Sequence, residues 1–202
     1  MSLSLVAVMV ALFLLVDFTI LALVFRRAGI FRRVPVEEGV LKEAWIAYVK
    51  GSPNYVGVLR DMVPVAVILR GQHGIADTPG FTLYLNDMRG LAEGKGTEMR
   101  KVTGCMLSDE EAALIPAETK GFWLARLPES PFLMVRVPSR KGSLSAIAGF
   151  RAVSALNSRL KAEGRPFQPV VEIFRPRASE VHFLCLLDFP QEHLDVLYDA
   201  CK

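Results

Sequence analysis

Cysteine and histidine are scarce in this chain of 202 residues, with three of each. Cys105, Cys185 and Cys201 form no CxxC pair and are odd in number, which argues against a disulfide framework of the secreted kind and agrees with a reducing compartment. His73, His182 and His193 are scattered, so no structural zinc site and no other cofactor is expected. HExxH, a nucleophile elbow and a phosphate-binding glycine loop are all missing, and Cys105 has no activating group near it in sequence, so it reads as a buried thiol. Composition in turn excludes a disordered tail or a fibrous repeat, because 51% of residues are hydrophobic and 22% are charged.

An excess of one charge is also lacking once the N-terminus is set apart. Of 24 Lys plus Arg and 21 Asp plus Glu, four arginines and Asp17 belong to the first 33 residues, and the remainder carries twenty of each sign. A neutral domain has no electrostatic footprint for nucleic acid, and no such partner is expected.

What is present is a long apolar run. Residues 3–25 (LSLVAVMVALFLLVDFTILALVF) are 23 residues with one charge, Asp17, and they account for much of a mean hydropathy of +0.32. As a helix this run would be about 35 Å long, enough to cross a hydrocarbon core of about 30 Å. It is too long for a signal peptide and no basic residue precedes it, so an uncleaved single-span anchor is expected. Arg26, Arg27, Arg32 and Arg33 follow at once, which by the positive-inside rule places the N-terminus across the membrane and the remaining chain in the cytosol.

Residues 1–33 are therefore read as anchor and basic flank, 34–40 as a linker, 41–189 as one domain and 190–202 as a short C-terminal segment. Within the domain a β-prone run around Trp45 and Val49 is followed by Ser52-Pro53, a helix start with proline where its missing N–H is not needed. The helix is expected to reach about residue 62, with Pro64 opposing its continuation. Residues 81–86 and 98–107 read as an antiparallel pair, and Ser108 with Glu111 as a capping box. Strands at 122–127 and 132–138 then precede a regular helix from Ser143 that Gly164 ends, and strands at 169–174 and 181–187 follow. Strand, helix, strand, strand thus occurs twice, an internal repeat without obvious sequence identity.

This order, with PFQPVVEIF at 166–174 followed by EVHFLC at 180–185, resembles the GyrI-like, or effector-binding, domain family, and within it the membrane-anchored testis-expressed protein 264-like family of reticulophagy receptors. Secondary points of likeness are AYVK at 47–50, LYLND at 83–87 and GCMLS at 104–108. The resemblance implies an α+β fold of two βαββ modules after one transmembrane helix. It also implies a non-enzymatic adaptor of the endoplasmic reticulum membrane with cytosolic protein partners, autophagy ubiquitin-like proteins among them. Two departures stand out: Phe174 where the family usually has tyrosine, and a chain that stops at Lys202, without the receptors' acidic tail and its binding motif. Residues 132–135 and 183–186 have the letters of such a motif but fall in expected core strands.

Glu172 is the main candidate for chemistry. Strand alternation places it with Val170 and Phe174 and opposite Val171 and Ile173, a carboxylate between apolar neighbours that must be paired or hydrogen-bonded if buried. The resemblance implies that it looks into a cleft between modules, where it meets cationic ligands or takes part in hydrolysis. The alternative function is accordingly a binding domain for a cationic or aromatic small molecule, or a hydrolase, with Tyr48, Tyr84 and Trp123 lining the cleft. Against this stands a purely structural carboxylate tied to Arg136, Lys50 or a tyrosine hydroxyl. His182, among apolar neighbours, reads as a hydrogen-bonded core residue.

Overall fold

A computed structural model describes residues 3–27, 34–53, 58–86, 99–116, 118–138, 143–166, 168–175 and 179–200, while the side chains of helical residues 3–7, 21, 24–27, 58, 59, 143–147 and 191 lie outside that description. The chain runs α1 (Leu3–Arg27), β1 (Glu37–Leu41), β2 (Ala44–Lys50), α2 (Val58–His73), β3 (Gly80–Tyr84), β4 (Lys101–Leu107), α3 (Asp109–Ala113), β5 (Trp123–Leu127), β6 (Ser130–Pro138), α4 (Ser143–Ala162), β7 (Val170–Arg175), β8 (Glu180–Leu186) and α5 (Gln191–Asp199).

The apolar N-terminal run is a single helix, α1, and its described side chains, Phe13 and Phe18 among them, stand exposed. Among the described residues no helix is long and apolar enough to cross a membrane. The unbroken run of described side chains in α1, residues 8–20, would span about 20 Å at 1.5 Å per residue. Arg26 and Arg27 end α1 with side chains outside the description, and Arg32 and Arg33 lie outside the described residues altogether.

All eight strands form one sheet in the order β1-β6-β8-β7-β3-β4-β2-β5, and every pairing is antiparallel. The two βαββ units expected from the sequence are β2-α2-β3-β4 and β6-α4-β7-β8, joined at the centre by β7 against β3. Each unit is also preceded by a strand that crosses to the other unit: β1 pairs with β6, and β5 with β2. Glu37–Leu41 thus turns most of the expected linker into an edge strand, because β6 has an open ladder to fill.

This swap dictates the shape of the sheet. Lys42 and Glu43 alone connect β1 to β2, so Leu41 and Ala44 are at most about 11 Å apart, three Cα steps of 3.8 Å. In a flat sheet those strands would be six spacings, or about 29 Å, apart. The link from β5 to β6 imposes the same closure, and the sheet must curl until its two ends approach. One apolar cluster accordingly contains side chains from all eight strands, among them Leu41, Ile46, Phe81, Val102, Leu127, Met134, Ile173 and Leu184. It fills the concave face.

The helices α2 and α4 cover the convex face, each over its own apolar cluster. Val65 and Leu69 of α2 and Ala152, Leu156 and Leu160 of α4 are buried there. Pro64 does not end α2, contrary to the expectation, because it sits on the exposed side, where the carbonyl of Arg60 freed by the missing N–H can be hydrated. Gly164 does end α4: at φ +67° it lets the Arg165 N–H reach back to the Leu160 carbonyl at 2.9 Å. The capping box at α3 is present, with Glu111 N–H donating to Ser108 Oγ at 3.2 Å and Ser108 N–H to Glu111 Oε2 at 2.8 Å. Gly104 is obligatory, since a Cβ there would collide with the Ala47 carbonyl oxygen and lie 2.8 Å from Tyr48 Cα on β2.

The short C-terminal segment expected after residue 189 is helix α5, whose Leu194 and Leu197 are buried against the concave cluster beside Phe189. Its spacing of apolar residues three and four apart is helical, and the concave core supplies the surface that makes so short a helix hold.

Candidate functional site

Register across the sheet decides what shares a face with Glu172. Reading outward from it, Glu172 on β7 lies beside Thr82 on β3, which lies beside Thr103 on β4, which lies beside Val49 on β2; on its other side is Phe183. The row two residues along holds Val170, Tyr84 and Lys101. Both rows are on the convex face, beneath the helices. Because α2 packs on β2 and β4 and α4 packs on β6 and β8, the central strands β7 and β3 run below the seam between the two helices. Glu172 is there, 5% exposed.

A polar chain crosses this seam. Tyr84 donates its hydroxyl to Glu172 Oε2 at 2.6 Å. Lys101, fully buried, places Nζ 3.7 Å from Asp61 Oδ2. Asp61 on α2 also accepts both the N–H and the hydroxyl of Ser52, each at 2.7 Å, which ties the end of β2 to the helix. Thr82 and Thr103 bond to each other at 2.9 Å, and Thr103 donates to the Phe81 carbonyl.

Electrostatics follow from that geometry. Burial pushes the Glu172 carboxyl up to about 7, against the Tyr84 hydrogen bond and the charge of Lys101, which hold it down. Burial likewise lowers Lys101, opposed by Asp61 and then by Glu172. Asp61 ends below the ordinary carboxylate range: burial would raise it, but the two Ser52 hydrogen bonds and the charges of Lys101 and Arg60 outweigh that. The buried ammonium is thus closely paired with Asp61, and Glu172 is left able to take or release a proton near neutrality.

Of the expected site residues the structure brings together Glu172 and Tyr84 and separates the other two. Tyr48 is buried on the concave face, and Trp123 lies against it with ring centroids 6.4 Å apart, so neither lines a site with Glu172. The reason is phase: Tyr48 pairs with Gly104, which pairs with Phe81, which pairs with Ile173, one residue out of step with Glu172. The tyrosine hydroxyl is the partner among those expected for a structural carboxylate, since Arg136 bonds Glu37 at 2.7 Å and Lys50 stacks over Tyr198. Lys101 and Asp61 were not anticipated; the signal available was a lysine inside the β-prone run KVTGCML.

His182 is buried, with Nε2 3.1 Å from Glu180 Oε2. Cys105 and Cys185 are buried free thiols, and burial pushes Cys185 up to about 12. Among the described residues no group of three or more His, Cys, Asp or Glu side chains is placed to hold a metal ion. Residues 132–135 and 183–186 lie in β6 and β8, and Leu133, Val135, Phe183 and Leu186 are buried.

No protein-family model and no curated protein matches this sequence. Among solved structures, the C-terminal domain of EcmrR is similar with a TM-score of 0.55 at 12% identity, covering 76% of this chain and 96% of that one. An EcmrR–DNA complex determined by cryo-EM is similar with a TM-score of 0.52 at 10% identity, covering 89% and 68%. A hydrolase from Listeria innocua superposes less well, at TM-score 0.44 and 12% identity over 80% and 96%, and adds no argument. At such identities the likeness is one of fold: α+β, with a curled eight-stranded antiparallel sheet and helices, consistent with a GyrI-like fold. It lends no support to the reticulophagy receptors as relatives. A DNA complex among the similar structures also leaves the expected lack of nucleic-acid partners without support.

Proposed function

We propose that this chain is a GyrI-like ligand-binding module that takes an aromatic organic cation at Glu172, beneath the seam between α2 and α4. The observation carrying this reading is a carboxyl buried among apolar side chains, held by the Tyr84 hydroxyl and pushed by burial up to about 7. Such a group is unfavourable in an unliganded core unless protonated, and a cation would satisfy it. Lys101 does not serve that purpose fully, because its ammonium sits against Asp61.

Linkage sets the test. A cation favours the ionised carboxylate, so its affinity rises with pH through about 7 and binding releases a proton. Tetraphenylphosphonium should raise the melting temperature more at pH 8 than at pH 6, and Glu172→Gln should abolish the effect. Equal stabilisation of Glu172→Gln, or none by this cation and by rhodamine 6G at either pH, refutes the assignment.

The module is further proposed to be membrane-anchored through α1, with Arg26, Arg27, Arg32 and Arg33 on the cytosolic flank. The apolar run of residues 3–25 and the exposed apolar side chains described in α1 support this. Protease protection of the N-terminus, but not of the domain, in sealed microsomes is the expected result; digestion of both ends rejects the placement.

A further inference from the structure

A second feature lies on the convex face some 20 Å from Glu172, three strands across and four residues along. It does not depend on the reading of Glu172. There β5 ends the sheet, pairing with β2 on one side only, so its outer backbone N–H and C=O groups have no ladder partner among the described residues. A cavity of about 950 Å³ runs beside this edge, floored by Trp45 and Leu124, walled by α3 and the segment with Ile115 and Phe122, and flanked by Trp123.

Open edges are hazardous and are ordinarily covered, twisted away or guarded by lysine or proline. Among the described residues this one is none of these over Trp123–Leu127: it reads WLARL, and Trp123 keeps 40% of its surface exposed. Its single charge, Arg126, is exposed but paired with its own neighbours, bonded to Glu43 at 3.0 Å, 3.7 Å from Asp109 and over the Trp45 ring. Among the described residues nothing pairs with the outer side of this edge.

We propose that β5 and its groove form a docking site for an extended basic-apolar peptide of a partner protein, added to the sheet as a ninth strand. Main-chain hydrogen bonds to β5 would supply the pairing, and alternate apolar side chains would enter the groove over Trp45 and Leu124. The sign of the partner comes from the rim. Among the described residues Asp109 and Glu118 line the groove with Lys120, Glu110 is exposed beside them on α3, and Arg126 is already taken by Glu43 and Asp109. Lysines or arginines interleaved with apolar residues complement that rim. A second copy of this chain would bring an identical acidic rim against it, and like charges across a strand pair repel.

The chain carries two tryptophans, and both border the groove, so intrinsic emission reports on this site. The full chain in a non-ionic detergent is titrated with fluorescein-labelled VKVKVKVK, followed by anisotropy and, with unlabelled peptide, by tryptophan emission. Saturable binding with a change in emission is expected, and VEVEVEVE should bind at least about tenfold more weakly. Methylating every second backbone nitrogen of VKVKVKVK should weaken binding by a similar factor, because strand addition needs those N–H groups. Asp109→Lys with Glu118→Lys, both exposed and tolerant of change, should reverse the preference between the two peptides. Equal binding of the N-methylated or the acidic peptide overturns the proposal, as does no binding or binding unchanged by Trp123→Ala. Concentration-dependent dimerisation that Trp123→Ala abolishes would assign the edge to a second copy and overturn it too.

Discussion

Replacing Glu172 by glutamine removes a titration without removing a shape, and the consequence for stability can be worked through. The folded carboxyl is pushed up to about 7 from an ordinary 4.5, so between those pH values the folded state binds more protons than the unfolded one. Stability must then fall as pH rises through that window and level off above it. A rise of roughly two and a half units corresponds to about 3 kcal/mol at 1.36 kcal/mol per unit. Glutamine keeps an oxygen for the Tyr84 hydroxyl and carries no charge at any pH. The variant should lie close to wild type at pH 5 and gain about 2 to 3 kcal/mol on it by pH 8, the attraction to Lys101 being already contained in the value of about 7. Urea unfolding of the full chain in detergent at half-unit pH steps reads this directly. At a slope near 2 kcal/mol per M, the midpoints should separate by roughly 1 M at pH 8 and coincide at pH 5. A difference that does not change with pH, or a variant less stable than wild type at pH 8, would refute the idea that burial dominates this carboxyl.

Tyr84→Phe removes the donor that holds Glu172 down, so its carboxyl should titrate higher still; a loss of about 1 to 3 kcal/mol is expected at pH 8 and less at pH 5, measured by the same unfolding curves. Asp61→Asn leaves the Lys101 ammonium buried without its main counter-charge and should cost about 3 to 5 kcal/mol at pH 7. Because burial already lowers Lys101, that deficit should shrink as pH rises toward the ordinary lysine range, where the folded state can discard the proton. Gly104→Ala forces a methyl into the backbone of β2 and should destabilise by at least about 3 kcal/mol, seen as loss of cooperative melting. Leu197→Ala should cost about 2 to 4 kcal/mol, with amide exchange rising first in α5.

Much of the local structure was legible from residue order. The doubled strand-helix-strand-strand pattern, the capping box at Ser108 and Glu111, the left-handed stop at Gly164 and the placing of Glu172 opposite Val171 and Ile173 all arise from interactions within a few residues. Pro64 misled because a missing N–H disrupts a helix in proportion to what its freed carbonyl faces, and that depends on which side of α2 meets solvent. Strand β1 and helix α5 were not legible as elements, since each is completed by a surface distant in sequence, β6 in one case and the concave core in the other.

The candidate site shows where this division lies. Alternation within PVVEIF is a property of one strand and determined that Glu172 opposes Val171 and Ile173. Whether Tyr48, Tyr84, Trp123 or Lys101 shares its face depends on the relative phase of different strands, and a shift of one residue in any ladder would exchange them. Only pairing across β7, β3, β4 and β2 sets that phase, placing Tyr84 and Lys101 beside Glu172 and turning Tyr48 toward the concave core. The sequence by itself determined the repeat and the carboxylate; the curl imposed by the crossed strands β1 and β5, and the register it locks, decided what surrounds that carboxylate.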